Sequence, residues 1–169
     1  GLDDLQLIDE IKELLNVVLG FADYQEISYQ EVLESHSEKD LDEDLRFSLA
    51  SQELNPGRFI IKDYPADKAV LARLDEDNKD IARRFEFVVD GLELANGYFE
   101  LKDWSEHMER FATDNLVREA RELPTIDIDE KFMTSIRAGL PDCAGVALGF
   151  DRLLMLKMGE SDIGAVQLF

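Results

Sequence analysis

The stretch from Phe85 to Leu101, FEFVVDGLELANGYFEL, decides the fold. Two runs rich in aromatic, β-branched and other apolar residues, Phe85 to Val89 and Leu92 to Leu101, are separated only by Asp90-Gly91. Both central residues of a type I′ turn need positive φ, which Asp-Gly supplies, so the pair reads as a β-hairpin and implies an antiparallel sheet. The second strand carries Glu93 and Glu100 around Asn96-Gly97. Side chains alternate along a regular strand, so two glutamates seven apart would face opposite sides. A bulge at the Asn96-Gly97 step would shift the phase by one and bring both carboxylates, with Asn96, to one face. Paired carboxylates in a sheet cleft suit an ammonium group or Mg²⁺, whose hard-oxygen preference glutamate meets. Spacing alone does not separate this from two glutamates on a solvated face.

Upstream of the hairpin, Arg58 to Ala66 (RFIIKDYPA) reads as a strand ending before Pro65, because proline donates no ladder hydrogen bond. Further upstream, residues 3–19 place Leu7, Ile8, Ile11, Leu14, Leu15, Val18 and Leu19 at spacings of three and four, an amphipathic helix that Gly20 stops. Shorter helices are expected at Tyr29 to Leu33 and Leu41 to Leu49. Downstream, Asp103 and Glu106 have capping-box spacing and start a helix running to about Arg121. A second start at Asp127 opens a helix that stops at Gly139. Gly145 to Gly149 (GVALG) is a short buried strand leading into a helix at Asp151 to Met158. The expected class is therefore α+β, an antiparallel sheet flanked by helices. The whole of 1–169 reads as one unit, with 1–55 helical and 56–169 holding sheet and helices.

Composition narrows the function. The net charge of −20 speaks against tRNA as a partner, since nucleic-acid affinity comes largely from Lys and Arg displacing phosphate counterions. No apolar run reaches the length of a membrane span, and no basic-then-apolar leader is seen, so a soluble cytoplasmic protein with no membrane partner is expected. A single cysteine, Cys143, excludes an internal disulfide and a cysteine-based zinc site. His36 and His107 have neither metal-ligand spacing nor a nucleophile beside them.

The stretch Gly145 to Leu154 (GVALGFDRLL) is the second constellation. Small strand residues and a glycine at the turn allow a ligand to approach backbone, and Arg152 in the following helix offers a planar fork for phosphate oxygens or a purine ring. Close strand–helix packing would explain the same pattern.

Taken together, ELANGYFEL resembles the Glu-Leu-x-Asn-Gly-x-x-Glu-Leu segment of lysyl-tRNA synthetases, and GVALGFDRLLML resembles motif 3 of the class II enzymes. Within that family the chain is most similar to the ligases that lysylate elongation factor P, through DYPADKAVLA, RRFEFVVDGLELANG, RELPTIDIDEKF and AGLPDCAGVALG. The resemblance implies that ATP, with Mg²⁺, activates the carboxylate of lysine or β-lysine as an adenylate, and that a lysine of elongation factor P accepts the acyl group. It assigns ATP contacts to Glu93, Leu94, Gly149 and Arg152, with Arg152 acting catalytically against phosphate charge and Glu93 also holding metal. It assigns the amino acid to Asn96, Glu100 and Ala147. Ala147 stands where tRNA-charging members have glycine, and its methyl is expected to narrow the pocket toward the β-amino isomer.

The chain begins where the family's motif 2 has just ended, so motifs 1 and 2 are expected to be missing and the enzyme to be fragmentary or degenerate. A homodimer is among the assemblies the family allows. Two rival readings stand beside the ligase: a lysyl-tRNA synthetase fragment, and a non-catalytic paralogue that binds a lysine-like ligand or a partner protein.

Overall fold

The computed structural model describes residues 1–21 and 23–167. A central five-stranded sheet has the order β1-β2-β5-β6-β7, built from β1 (Gln25–Ser28), β2 (Arg58–Lys62), β5 (Arg84–Val89), β6 (Leu92–Phe99) and β7 (Ala144–Leu148). Two short strands between β2 and β5, β3 (Tyr64–Pro65) and β4 (Ile81–Ala82), form a separate ladder. The helices are α1 (Asp4–Leu19), α2 (Tyr29–Ser35), α3 (Glu43–Gln52), α4 (Trp104–Ala120), α5 (Glu130–Ala138) and α6 (Phe150–Met158).

The hairpin is β5–β6, and its turn has the expected geometry, with φ of 48° at Asp90 and 75° at Gly91. The sheet is antiparallel except at one edge, where β1 runs parallel to β2. That edge strand lies inside the stretch 1–55 expected to be helical. Its four residues, QEIS, carry too short a pattern to betray a strand, and its pairing partner lies more than 30 residues downstream. The strand read from Arg58 ends at Lys62, and Pro65 sits instead in the small ladder, where it lacks a central position to disturb.

Helix ends follow their local chemistry. Asp3 and Gln6 form a full capping box on α1, Ser28 and Glu31 one on α2, and Asp103 caps α4 by accepting from the Glu106 N–H. The cap of α5 is Asp129 rather than Asp127: its carboxylate accepts from the N–H groups of Lys131 and Phe132. Gly20 closes α1 in the left-handed region.

The two faces of the sheet are covered differently. On one, Phe85, Phe87, Val89, Leu94 and Ala95 pack with Ile60 against Leu7, Ile8, Ile11 and Leu15 of α1 and Leu153 of α6. On the other, Tyr29, Val32 and Leu33 of α2 and Ala50 of α3 pack over Ile61 of β2 and Val88 of β5. That second cluster does not include β6 side chains beyond the margin of Tyr98, and it contains none from β7. The β6–β7 part of this face is left for polar groups. No helix among the described residues is long and apolar enough to cross a membrane.

Candidate active site

Strand register collects the polar residues on that open face. Glu86 of β5 lies opposite Asn96 of β6, Val88 opposite Glu93, Asn96 opposite Ala147 of β7, and Tyr98 opposite Gly145. A bulge does reconcile Glu93 with Glu100, but it is not at Asn96-Gly97. Phe87 pairs with Ala95 and the next residue, Val88, with Glu93, so Leu94 is the extra residue. The reason lies on the other face. Leu94 and Ala95 are both buried in the α1–α6 core, and taking two successive residues into it throws Glu93 and Asn96 onto the polar side. At Gly97 regular pairing continues instead, and a side chain there would collide with the Phe85 ring.

The cluster that results is tight. The Asn96 side-chain amide donates to Glu86 Oε1 at 2.9 Å and reaches Glu93 Oε1 at 3.5 Å, while Arg84 Nη2 donates to Glu86 Oε1 at 2.6 Å. The Arg84 guanidinium lies 4.2 Å from the centre of the Tyr64 ring, which holds it in place. Glu86 is buried, and that desolvation pushes its carboxyl up; Arg84 opposes the shift, and nearby Glu93 adds to it. Asn96 Oδ1 is buried and accepts no hydrogen bond among the described residues, so it can accept one from a ligand donor. Glu86 and Glu93 also line a pocket of about 250 Å³ closed by Phe47 and Ser48 of α3, with Lys68 and Arg84 on its wall.

Arg152 arrives from α6. The Gly149 N–H donates to the Leu94 carbonyl, docking the start of the helix on the bulge, and Arg152 Nη1 donates to the Glu93 carbonyl at 2.8 Å. Its Nη1 stands 3.8 Å from the Glu93 carboxylate, and both side chains are 44% exposed. So loose and wet a pair contributes little to stability, which leaves the guanidinium's remaining donors free for a ligand.

Glu100 lies just past β6, on the same face. Its carboxylate rests over Gly145, where an added methyl would run into it. No hydrogen bond or ion pair of its side chain is found among the described residues, and burial alone pushes its carboxyl above the ordinary range. A half-buried carboxylate with no counter-charge is a poor structural element and a good receptor for an ammonium group.

Of the residues expected at the site, Glu93, Asn96, Glu100, Ala147, Gly149 and Arg152 are brought together. Leu94 is the exception: its side chain is 1% exposed in the opposite core and its carbonyl accepts from the Gly149 N–H. Sequence reasoning missed Glu86. The signal was present, a single carboxylate inside the apolar run Phe85 to Val89, alternating onto the same face as Asn96. Among the described residues no three His, Cys, Asp or Glu side chains converge as a metal-ligand set. The Glu86 and Glu93 carboxylates nonetheless fit Mg²⁺, which commonly keeps several waters and binds through one or two carboxylates plus phosphate.

Residues 6–169 match the family model of the class II tRNA synthetases that cover the D, K and N enzymes. The chain belongs to this family. Several of its relatives are named as ligases that act on elongation factor P. The chain is 35% identical to the elongation factor P–(R)-β-lysine ligase of Avibacterium paragallinarum, over 99% of the chain and 61% of that protein. It is 33% identical to the Pasteurella multocida ligase of the same name with the same coverage. It is 35% identical to that of Haemophilus influenzae, over 95% of the chain and 59% of the relative. The chain thus spans about three fifths of the length of the curated relatives it matches. The Avibacterium alignment runs 196 positions against a chain of 169 residues, so the relative carries at least 27 positions (196 less 169) with no counterpart here.

Proposed function

We propose that the chain forms the amino-acid and nucleotide site of an ATP-dependent ligase of the lysyl-tRNA-synthetase type, one that activates β-lysine or lysine and passes it to elongation factor P. The observation that carries the reading is the convergence of Glu93, Asn96 and Glu100 on one sheet face beside Arg152, produced by the bulge at Leu94.

Each group has a task that its geometry suits. Glu100 receives a side-chain ammonium of the amino acid, whose charge supplies the partner that the carboxylate lacks. Ala147, opposite Asn96 on β7, puts a methyl beside Asn96, where a glycine would leave room. Asn96 offers its buried Oδ1 as acceptor to the bound amino acid. Arg152, fixed through the Glu93 carbonyl, turns its free donors toward phosphate oxygens and opposes charge that builds as the carboxylate attacks the α-phosphorus and pyrophosphate leaves. Glu93 and Glu86 would hold Mg²⁺, which supplies charge neutralisation of the phosphates when bound. Transfer then breaks the mixed anhydride as an acceptor lysine amine forms an amide and AMP departs. The net charge of −20 and the names of the relatives favour a protein acceptor over tRNA.

The test is amino-acid-dependent ATP–pyrophosphate exchange by the protein that carries this chain, followed by acyl transfer with elongation factor P or tRNA supplied as acceptor. Exchange driven by β-lysine and transfer to the protein acceptor support the reading. Exchange with lysine and transfer to tRNA would make it a tRNA synthetase, and binding without exchange would make it a receptor.

A further inference from the structure

The segment from Ala66 to Arg73, between β3 and β4, is held in an unfavourable shape by contacts that converge on Glu100. Val70 has φ of 51°, a region that a β-branched residue enters only under constraint, and its side chain is 51% exposed, so packing does not impose the shape. Hydrogen bonds do. Arg110 of α4 donates from Nη1 to the carbonyls of both Val70 and Ala72 at 2.8 Å, while Nη2 is steadied by Glu106 one turn earlier at 2.5 Å. Arg84 holds the Lys68 carbonyl at 2.9 Å.

The segment so fixed is the outer support of Glu100. Ala72, fully buried, forms a bridge to Glu100; Arg73 Nε donates to the Glu100 carbonyl at 2.7 Å; and the Leu101 N–H donates to the Leu71 carbonyl at 2.8 Å. On its other side the Glu100 N–H donates to the Cys143 carbonyl. The Glu100 backbone is thereby clamped between the start of β7 and a segment that Arg110 holds in place, while its carboxylate has no partner to aim it.

We propose that Arg110 is a positioning residue for amino-acid recognition: by clamping the Val70 and Ala72 carbonyls it fixes the segment that sets the direction of the Glu100 carboxylate over Gly145. The guanidinium is essential to the device because one planar group must serve two carbonyls and a carboxylate at once, which a lysine ammonium on a flexible stem does with less definition. Arg110 does not touch substrate, and its loss should misplace Glu100 without altering the Arg152 side of the site.

This inference rests on the amino-acid site proposed above. The experiment compares Arg110→Met and Arg110→Lys with the parent protein by titration with β-lysine and, separately, with ATP and Mg²⁺, together with carbon-13 NMR titration of the Glu100 carboxyl without ligand. The expected result is a β-lysine dissociation constant raised roughly 10-fold or more in Arg110→Met, as displacement of a recognition group by about 1 Å produces. A smaller rise is expected in Arg110→Lys, with ATP affinity in both variants within about twofold of the parent. The Glu100 titration should move back toward that of an ordinary glutamate in Arg110→Met as its carboxylate swings into water. Equal loss of both ligands, or unchanged β-lysine affinity with an unmoved Glu100 titration, would overturn it. Should Arg110→Met fail to fold, Arg110→Lys decides on the same criteria. A parent protein that binds no β-lysine would sink the functional reading, and the ligand-free Glu100 titration would still decide the positioning claim.

Discussion

The two faces of the β5–β6–β7 sheet are made by the same strands and differ in what their side chains are satisfied by. On the α1–α6 face Phe85, Phe87, Leu94 and Ala95 are almost wholly buried and meet only other apolar groups. On the other face Glu86, Glu93 and Asn96 crowd together and Glu100 lies farther along over Gly145, giving a buried carboxylate, an amide oxygen with no donor and a half-buried carboxylate with no cation among the described residues. The first face lowers the free energy of the folded chain, and the second raises it in the absence of a ligand. The bulge at Leu94 joins the two, because moving one extra residue into the core is what turns Glu93 to the site.

The comparison breaks most visibly if the apolar face is cut. Phe87→Ala removes a fully buried ring and should destabilise the chain by about 3–5 kcal/mol, read from denaturant unfolding. If the chain tolerated this with little loss, the α1–α6 face would not be its core. Glu100→Gln does the reverse. It should leave the unfolding midpoint unchanged or raised, since a desolvated charge is removed, while β-lysine affinity falls roughly 100-fold, as loss of a charged hydrogen-bond partner in a site entails. A lowered midpoint with intact binding would mean that Glu100 is structural.

Gly145→Ala is the subtler cut on the same face. The added methyl displaces the Glu100 carboxylate, the end of a flexible side chain, so folding should survive while β-lysine affinity drops roughly 10-fold in calorimetric titration, the size of effect that a modest misplacement brings. Unaltered affinity would place the ammonium elsewhere.

Two carboxylates near the site, Glu100 on the polar face and Asp142 in the loop before β7, should show pH dependences of opposite sign. Glu100 must be ionised to bind a cation, and burial raises its folded pKa above 4.5, so binding should be present at neutral pH and fade as pH falls through a value higher than an ordinary glutamate's. The same shift means that this group's contribution to folding stability declines as pH rises through that value. Asp142 behaves oppositely. Held by Lys102 at 2.8 Å and Arg73 at 2.6 Å, its carboxyl is lowered from 3.8 to about 2, so its stabilisation is present above about pH 4 and is lost as pH falls toward 2. An Asp142→Asn variant should therefore lose the part of the acid-induced destabilisation that lies in that window. As an exposed pair the effect is small, and identical acid unfolding profiles would show that it is negligible.

Legibility in the sequence followed how local each feature is. The hairpin could be read because its turn is two adjacent residues and its strands are continuous, and the caps at Asp3 and Asp103 because they lie within one helical turn of their partners. The meeting of Glu93 with Glu100 was legible as a requirement for a bulge, though not as a location: the choice of Leu94 over Asn96 is made by α1 and α6, whose residues lie far off in the chain. Glu86 was overlooked because FEFVV reads as a buried strand: the lone carboxylate in that run was a signal, but its partner Asn96 is fixed only by the register. The edge strand β1 was hidden for the same reason, since four residues define it only through β2. The burial of His36 against Glu53, 17 residues away in sequence, was hidden in the same way.

The central claim is that one sheet face of this chain binds a lysine-like amino acid and a nucleotide at neighbouring points. The most direct measurement is calorimetric titration of the chain with β-lysine and with ATP and Mg²⁺, each beside Glu100→Ala and Arg152→Ala. The account predicts two saturable bindings, with β-lysine lost selectively in Glu100→Ala and ATP weakened selectively in Arg152→Ala. No binding of either ligand, or both lost together in either variant while the fold stays intact, would contradict it.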